Sequence, residues 1–226
     1  MIDSYDFQNA FVSCDQHYWM LLSCAAEKCL PWANTWIGEG SLLGDSLTAG
    51  VQHQAETSYP TILSHLTGVS VYNAGIPKET AAQVAARMIR APQQQPDDVS
   101  IIWVGRNGYE DKDAILSGVA QMVATLKPPR RFLILSILNS QRAFRGRKEY
   151  RAIMDDNAAL RSRYPSNFVD VRAALVNSGD RRNPVDAASR VLDVIPPRFH
   201  ADAVHLNSHG NEIVAREVYT RLATLH

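Results

Sequence analysis

Two apolar runs constrain this chain most: Val99 to Val104, reading VSIIWV, and Phe132 to Leu138, reading FLILSIL. Each suits one strand and is far too short for a membrane span. A strand with one wet face alternates apolar and polar side chains, so near-continuous runs belong to strands covered on both faces, as in the middle of a parallel sheet. Between them, Ile115, Leu116, Val119, Met122, Val123 and Leu126 fall on one helical stripe. A helical crossover is what joins parallel neighbours.

The same alternation extends both ways. Shorter strand-like runs at Ser41 to Leu43 and Val69 to Tyr72 end in turn residues, the second leading into Asn73 and Gly75. Ala81, Val84, Ala85, Met88 and Ile89 make a second stripe, and Ile213, Val214, Val218 and Leu222 a third, with Ser208 as its expected N-cap. The order βαβαβαβ predicts an α/β fold, a three-layer α/β/α sandwich around a mainly parallel sheet. Gly38, Glu39 and Gly40 interrupt the stretch before Gly44 and predict a first strand that is short or bent.

Length and charge narrow the function. The 226 residues suffice for one compact domain, expected over 36–226 after an N-terminal extension, 1–35, with no readable period. Lys plus Arg, 23, equals Asp plus Glu, 23, so no global basic field favours nucleic acid or anionic membranes, and neither partner is expected. The start lacks a basic segment followed by an apolar core; no convincing signal peptide is read, and the cytoplasm is the default expectation. All three cysteines lie early, so the main core must hold by packing. Cys14, His17, Cys24 and Cys29 form a C-x2-H-x6-C-x4-C array, but structural zinc sites favour regular short-spaced pairs; no metal or other cofactor is expected.

Ligands of such sheets bind beyond the carboxyl ends of the strands, and four segments there carry polar residues. Gly44-Asp45-Ser46-Leu47 puts a serine on a strand-to-helix turn; Asn73-Ala74-Gly75 offers a backbone N–H; Gly105-Arg106-Asn107-Gly108 offers a carboxamide. Asp202 and His205, three residues apart before the last helix, can meet in one turn. Each alone is an ordinary turn or cap. Together they supply a nucleophile, a base, its orienting carboxylate and oxyanion donors, the parts acyl transfer needs. His200 and His209, with no carboxylate three residues before them, are expected to be surface or capping residues.

These four blocks, in this order, resemble the SGNH hydrolases, also called GDSL esterases and lipases, over roughly residues 40 to 225. The resemblance implies a flavodoxin-like sandwich with a five-stranded, mainly parallel sheet. It implies Ser46 as nucleophile, His205 as general base, Asp202 as its partner, and an oxyanion hole from Ser46 N–H, Gly75 N–H and the Asn107 side chain. The expected reaction is hydrolysis of a small-molecule or glycan ester, with a short acyl group favoured because no lid insertion or long apolar segment is seen. Carbohydrate O-acetyl esters, lysophospholipids and thioesters lie within the family's range. One departure stands out: the third block is usually Gly-x-Asn-Asp, and Gly108 replaces the aspartate. Either Tyr109, Glu110 or Asp111 supplies the missing carboxylate or hydroxyl contact, or Arg106 takes a role of another kind; the same departure motivates the alternative of a non-catalytic module that binds acylated glycans.

Charge is unevenly spread beneath the zero total. From Lys127 to Arg190 there are 14 basic and 6 acidic residues, densest at Arg142, Arg145, Arg147 and Lys148, just after the FLILSIL run. Arg106 and Arg145 are candidate substrate contacts, the cluster lying either on the rim of the cleft or as solvated charge opening a helix.

Overall fold

The computed structural model describes residues 40–50, 57–90 and 98–225. Five strands, β1 (Gly40–Gly44), β2 (Val71–Gly75), β3 (Val99–Trp103), β4 (Phe132–Leu135) and β5 (Phe168–Val169), form one sheet in the order β2-β1-β3-β4-β5. Every pairing is parallel. Among the described residues, eight α-helices connect and cover them: α1 (Ser46–Ala49), α2 (Tyr59–Thr67), α3 (Ala81–Arg90), α4 (Lys112–Thr125), α5 (Lys148–Arg163), α6 (Val171–Asn177), α7 (Pro184–Leu192) and α8 (Ser208–Leu222).

The apolar runs sort by strand alternation into two cores. Val99, Ile101 and Trp103 of β3 and Leu133 and Leu135 of β4 join Leu42, Leu63, Leu175, Val214 and Val218 on the face covered by α2, α6 and α8. Ile102 and Val104, with Phe132 and Ile134, face Val84, Met88, Val119, Met122 and Ile153 from α3, α4 and α5. This two-sided burial is why the central strands read as continuous apolar stretches. Trp103 crosses the first core edge-to-face with Tyr59, centroids 5.2 Å apart, and its indole N–H donates to the Ser136 carbonyl at 3.0 Å.

Several boundaries differ from the sequence expectation. β1 runs one residue further at each end, Gly40 to Gly44, because it pairs with β2 on one side and β3 on the other along that whole length. β2 starts at Val71 rather than Val69, because its register follows β1 from Gly40↔Val71 onward, while the Val69 carbonyl accepts from the Ser64 hydroxyl. β4 stops at Leu135: both backbone groups of Ile137 are taken by the buried Asn157 carboxamide, which accepts from its N–H at 2.7 Å and donates to its carbonyl at 2.9 Å. The N-cap of α8 is Asn207, whose side chain accepts from Gly210 N–H; Ser208 is the first helical residue. The cysteine array and the 1–35 extension lie outside the described residues.

Candidate active site

The sheet delivers its turns to one edge, where β1 ends at Gly44 and β2 ends beside it at Gly75. Two close approaches shape that edge. A Cβ on Gly44 would lie 2.2 Å from the Thr48 hydroxyl and 2.6 Å from the Trp103 carbonyl, and one on Gly75 would lie 2.3 Å from Ala49 N. The two glycines therefore let the one-turn helix α1 sit directly on the strand ends. Asp45 caps that turn by accepting from Leu47 N–H at 3.0 Å, which sets Ser46 at its first position.

Ser46 Oγ is 3.0 Å from His205 Nε2, and His205 Nδ1 is 2.7 Å from Asp202 Oδ2, so the three side chains form one hydrogen-bonded line. Asp202 is held by its own turn: Oδ1 accepts from the backbone N–H of Val204 at 2.8 Å and of His205 at 2.7 Å. Partial burial works against the Asp202 charge, but the hydrogen bonds from the His205 and Val204 backbone and the imidazole hold its carboxyl down at about 2. It is thus an anion beside the His205 imidazole at neutral pH.

Asn107 lies in the loop after β3 and donates from Nδ2 to Asp45 Oδ2 at 3.3 Å and to the Glu79 carbonyl at 3.1 Å. Glu79 is itself fixed by a two-pronged ion pair with Arg87 of α3. Gly75 N–H donates to the side chain of Asn73 at 3.0 Å, and the Asn73 amide reaches back to the Thr48 carbonyl at 2.9 Å. Asp45 is the most confined of these groups, 1% exposed, and burial pushes its carboxyl up to about 6 against the pull of Leu47 N–H, His205 and Arg106.

Arg106 is mostly buried and pairs with Glu149 at 2.9 Å, its guanidinium 5.2 Å from the centre of the Tyr109 ring, while Nη1 is buried with no hydrogen-bond partner. Asp111 caps α4 by accepting from Ala114 N–H and returns its own N–H to the Gly108 carbonyl. The loop that lacks the usual aspartate is braced by these contacts together. Arg145 is exposed, with its guanidinium 3.9 Å from Asp193 and its backbone N–H bonded to the Leu192 carbonyl. His209 is exposed, but His200 is half-buried: its ring nitrogens are closed off from solvent, and burial lowers its tendency to protonate.

The sequence reading assigns no role to Asp45, Asn73 or Glu79. For Asp45 a signal existed, since an Asp two residues before a helical backbone N–H is a common cap. The contacts of Asn107 join residues far apart in the chain and leave no local trace.

Residues 42–213 match the model of the GDSL-like lipase/acylhydrolase family. The chain belongs to that family. This GDSL-family chain is 32% identical over 116 residues to an arylesterase of Vibrio mimicus, a match that spans 47% of this chain and 58% of the arylesterase. A lipolytic G-D-S-L protein from Veillonella parvula superposes with a TM-score of 0.65 at 14% identity, covering 80% of this chain and 96% of that one. An acetylxylan esterase from Geobacillus stearothermophilus gives 0.63 at 16%, covering 82% and 94%. At such identities the two structures share the α/β/α fold. Among the described residues of this GDSL chain, no helix is long and apolar enough to cross a membrane.

Proposed function

We propose that the chain is a serine esterase that hydrolyses carboxylic esters with short acyl groups, acetyl above all, within a catalytic module spanning 36–226. The observation that carries this reading is the unbroken line from Ser46 Oγ through His205 to Asp202. His205 Nε2 takes the Ser46 proton as Oγ attacks the ester carbonyl, the C=O pair moves onto oxygen, and the tetrahedral centre collapses to an acyl-serine as the alcohol leaves with that proton. Water, deprotonated by the same nitrogen, then releases the acid and restores Ser46.

The negative oxygen is met by N–H groups of Ser46, Gly75 and Asn107. In the free protein the last two are committed to Asn73, Asp45 and Glu79, so each turns from or shares its resting acceptor to meet the oxyanion. An arylesterase among the similar proteins supports ester hydrolysis, and an acetylxylan esterase supports acetyl as the acyl group. The test is a fluorophosphonate probe together with a panel of p-nitrophenyl esters. Ser46 should label, acetate should be turned over faster than long-chain esters, and Ser46→Ala should abolish labelling and lower kcat by about 10³-fold or more. Failure to label, with no turnover of any ester, would leave a binding module without catalysis.

A further inference from the structure

An open surface cavity of about 590 Å³ lies in the segment that follows β4, lined by Gln141, Arg142, Phe144, Arg147, Lys148 and Glu149. It adjoins both catalytic loops. Gln141 N–H donates to the carbonyl of Ala203, between Asp202 and His205, at 3.0 Å, and Glu149 pairs with Arg106, next to Asn107, at 2.9 Å.

Its charge is lopsided. Glu149, the acidic group in the lining, is already engaged by Arg106 and by the Ser140 hydroxyl, whereas Arg142, Arg147 and Lys148 form no ion pair with any described residue. Helix stability does not explain these cations. Arg147 is the N-cap of α5 and caps nothing with its side chain, and Lys148 is its first residue, so both stand at the end where the helix dipole disfavours positive charge. Nor does the loop float: the Asn139 amide donates to the Ala143 carbonyl at 2.7 Å, buried Arg172 holds Asn139 at 2.8 Å, and Arg145 N–H is tied to Leu192 at 2.8 Å. The cations are thus presented on a frame ordered before any ligand arrives.

We propose that this cavity seats the alcohol portion of the ester and that the preferred substrate carries a carboxylate there, read by Arg142 and Arg147. The planar guanidinium fork matches a planar carboxylate, Phe144, on whose face Arg147 lies at 4.6 Å, adds an aromatic wall for a ring, and the volume holds a group of sugar or aryl size. The proposal rests on the short-acyl esterase reading: with an acetyl group at Ser46, the charge can only sit on the leaving group.

Two isosteric substrates test it, 4-carboxyphenyl acetate and 4-carbamoylphenyl acetate, which differ in charge and little in size. In about 0.02 M salt kcat/KM should favour the carboxylate ester by about fivefold or more, mostly through KM. In about 0.5 M salt, where the screening length is only a few ångströms, the preference should shrink towards parity. Arg142→Gln with Arg147→Gln should erase it at low salt. The salt titration of the unaltered protein needs no variant, so a misfolded double variant does not blunt the test. Turnover of both esters with a ratio near one at every salt concentration would overturn this inference and leave the esterase reading standing; turnover of neither, with Ser46 unlabelled, would overturn both.

Discussion

Asp45 and Asn107, 62 positions apart in the chain, meet at 3.3 Å, the carboxamide donating to a carboxylate that is 1% exposed. One carboxylate thus does two tasks, capping Ser46's helix through Oδ1 and holding the Asn107 carboxamide through Oδ2. Asp45→Asn keeps a single acceptor oxygen and can do one of them. We expect kcat to fall about 10- to 100-fold with KM little changed, because Asn107 acts on charge present only in the transition state. A rise in KM at constant kcat would show that the pair shapes substrate binding instead.

The same burial makes stability depend on pH. The folded-state value for Asp45, about 6, exceeds its ordinary value of 3.8, so its contribution is fully present below 3.8 and is lost as pH rises through 6. The difference amounts to about 3 kcal/mol. Asp156, also buried and also raised to about 6, adds to the trend in the same direction. The informative quantity is therefore the stability of the unaltered protein minus that of Asp45→Asn, from denaturant midpoints between pH 3.5 and 7.5. It should decline across the window from 3.8 to 6; a flat difference would mean that Asp45 ionises as freely folded as unfolded.

Asn107→Ala should lower kcat by about 10²- to 10³-fold with KM nearly constant. It also strips a donor from Asp45 and from the Glu79 carbonyl, a loss of about 1–3 kcal/mol that thermal melts will register separately. A variant as stable as its parent and as active would remove Asn107 from the oxyanion hole.

Gly75→Ala tests whether the seat of α1 matters. The added carbon would sit 2.3 Å from Ala49 N and 2.7 Å from Thr48 C, and these are backbone atoms with no rotamer to turn. The helix must shift and take Ser46 with it. We expect kcat/KM to fall at least about 10²-fold and stability by about 1–3 kcal/mol. Full activity would mean that the Ser46 to His205 distance tolerates that shift.

How much of this was legible depends on range in the chain. β3 and β4 show in the sequence because burial on both faces makes them apolar throughout, and α3, α4 and α8 show because one stripe of each meets the sheet. β5 is two residues long and offers no period to read. The end of β4 is set by Asn157, 20 residues on, and the frame under Arg142 by Arg172, 33 residues beyond Asn139; neither leaves a local pattern. In the site, Ser46 and the Asp202 and His205 pair stand in short blocks whose residue types carry chemistry at fixed offsets. The donors of Asn107 and Gly75 were legible as groups, but their resting partners, Asp45, Glu79 and Asn73, follow from where strand ends meet. The basic cluster was visible as composition, yet its members divide in space: Arg142 and Arg147 line the cavity, while Arg145 faces Asp193.

Gly108 stands where the family usually carries aspartate, and restoring that residue asks whether the loop lacks anything. Space is not the obstacle, since the atom nearest a new Cβ would be Thr80 Cγ2 at 3.8 Å. The backbone is: Gly108 has φ of +90°, a conformation that glycine adopts freely and other residues reach only with strain. The tasks open to a carboxylate there are already met, by Asp111 capping α4, by Arg106 pairing with Glu149 and by the two acceptors that hold Asn107. Gly108→Asp should therefore cost about 1–3 kcal/mol of stability and leave kcat on an acetyl ester unchanged or lower. Denaturant melts and initial rates on the same preparation decide it. Higher kcat at undiminished stability would show that the loop relaxes around the new side chain and that Asn107 had been short of a carboxylate neighbour.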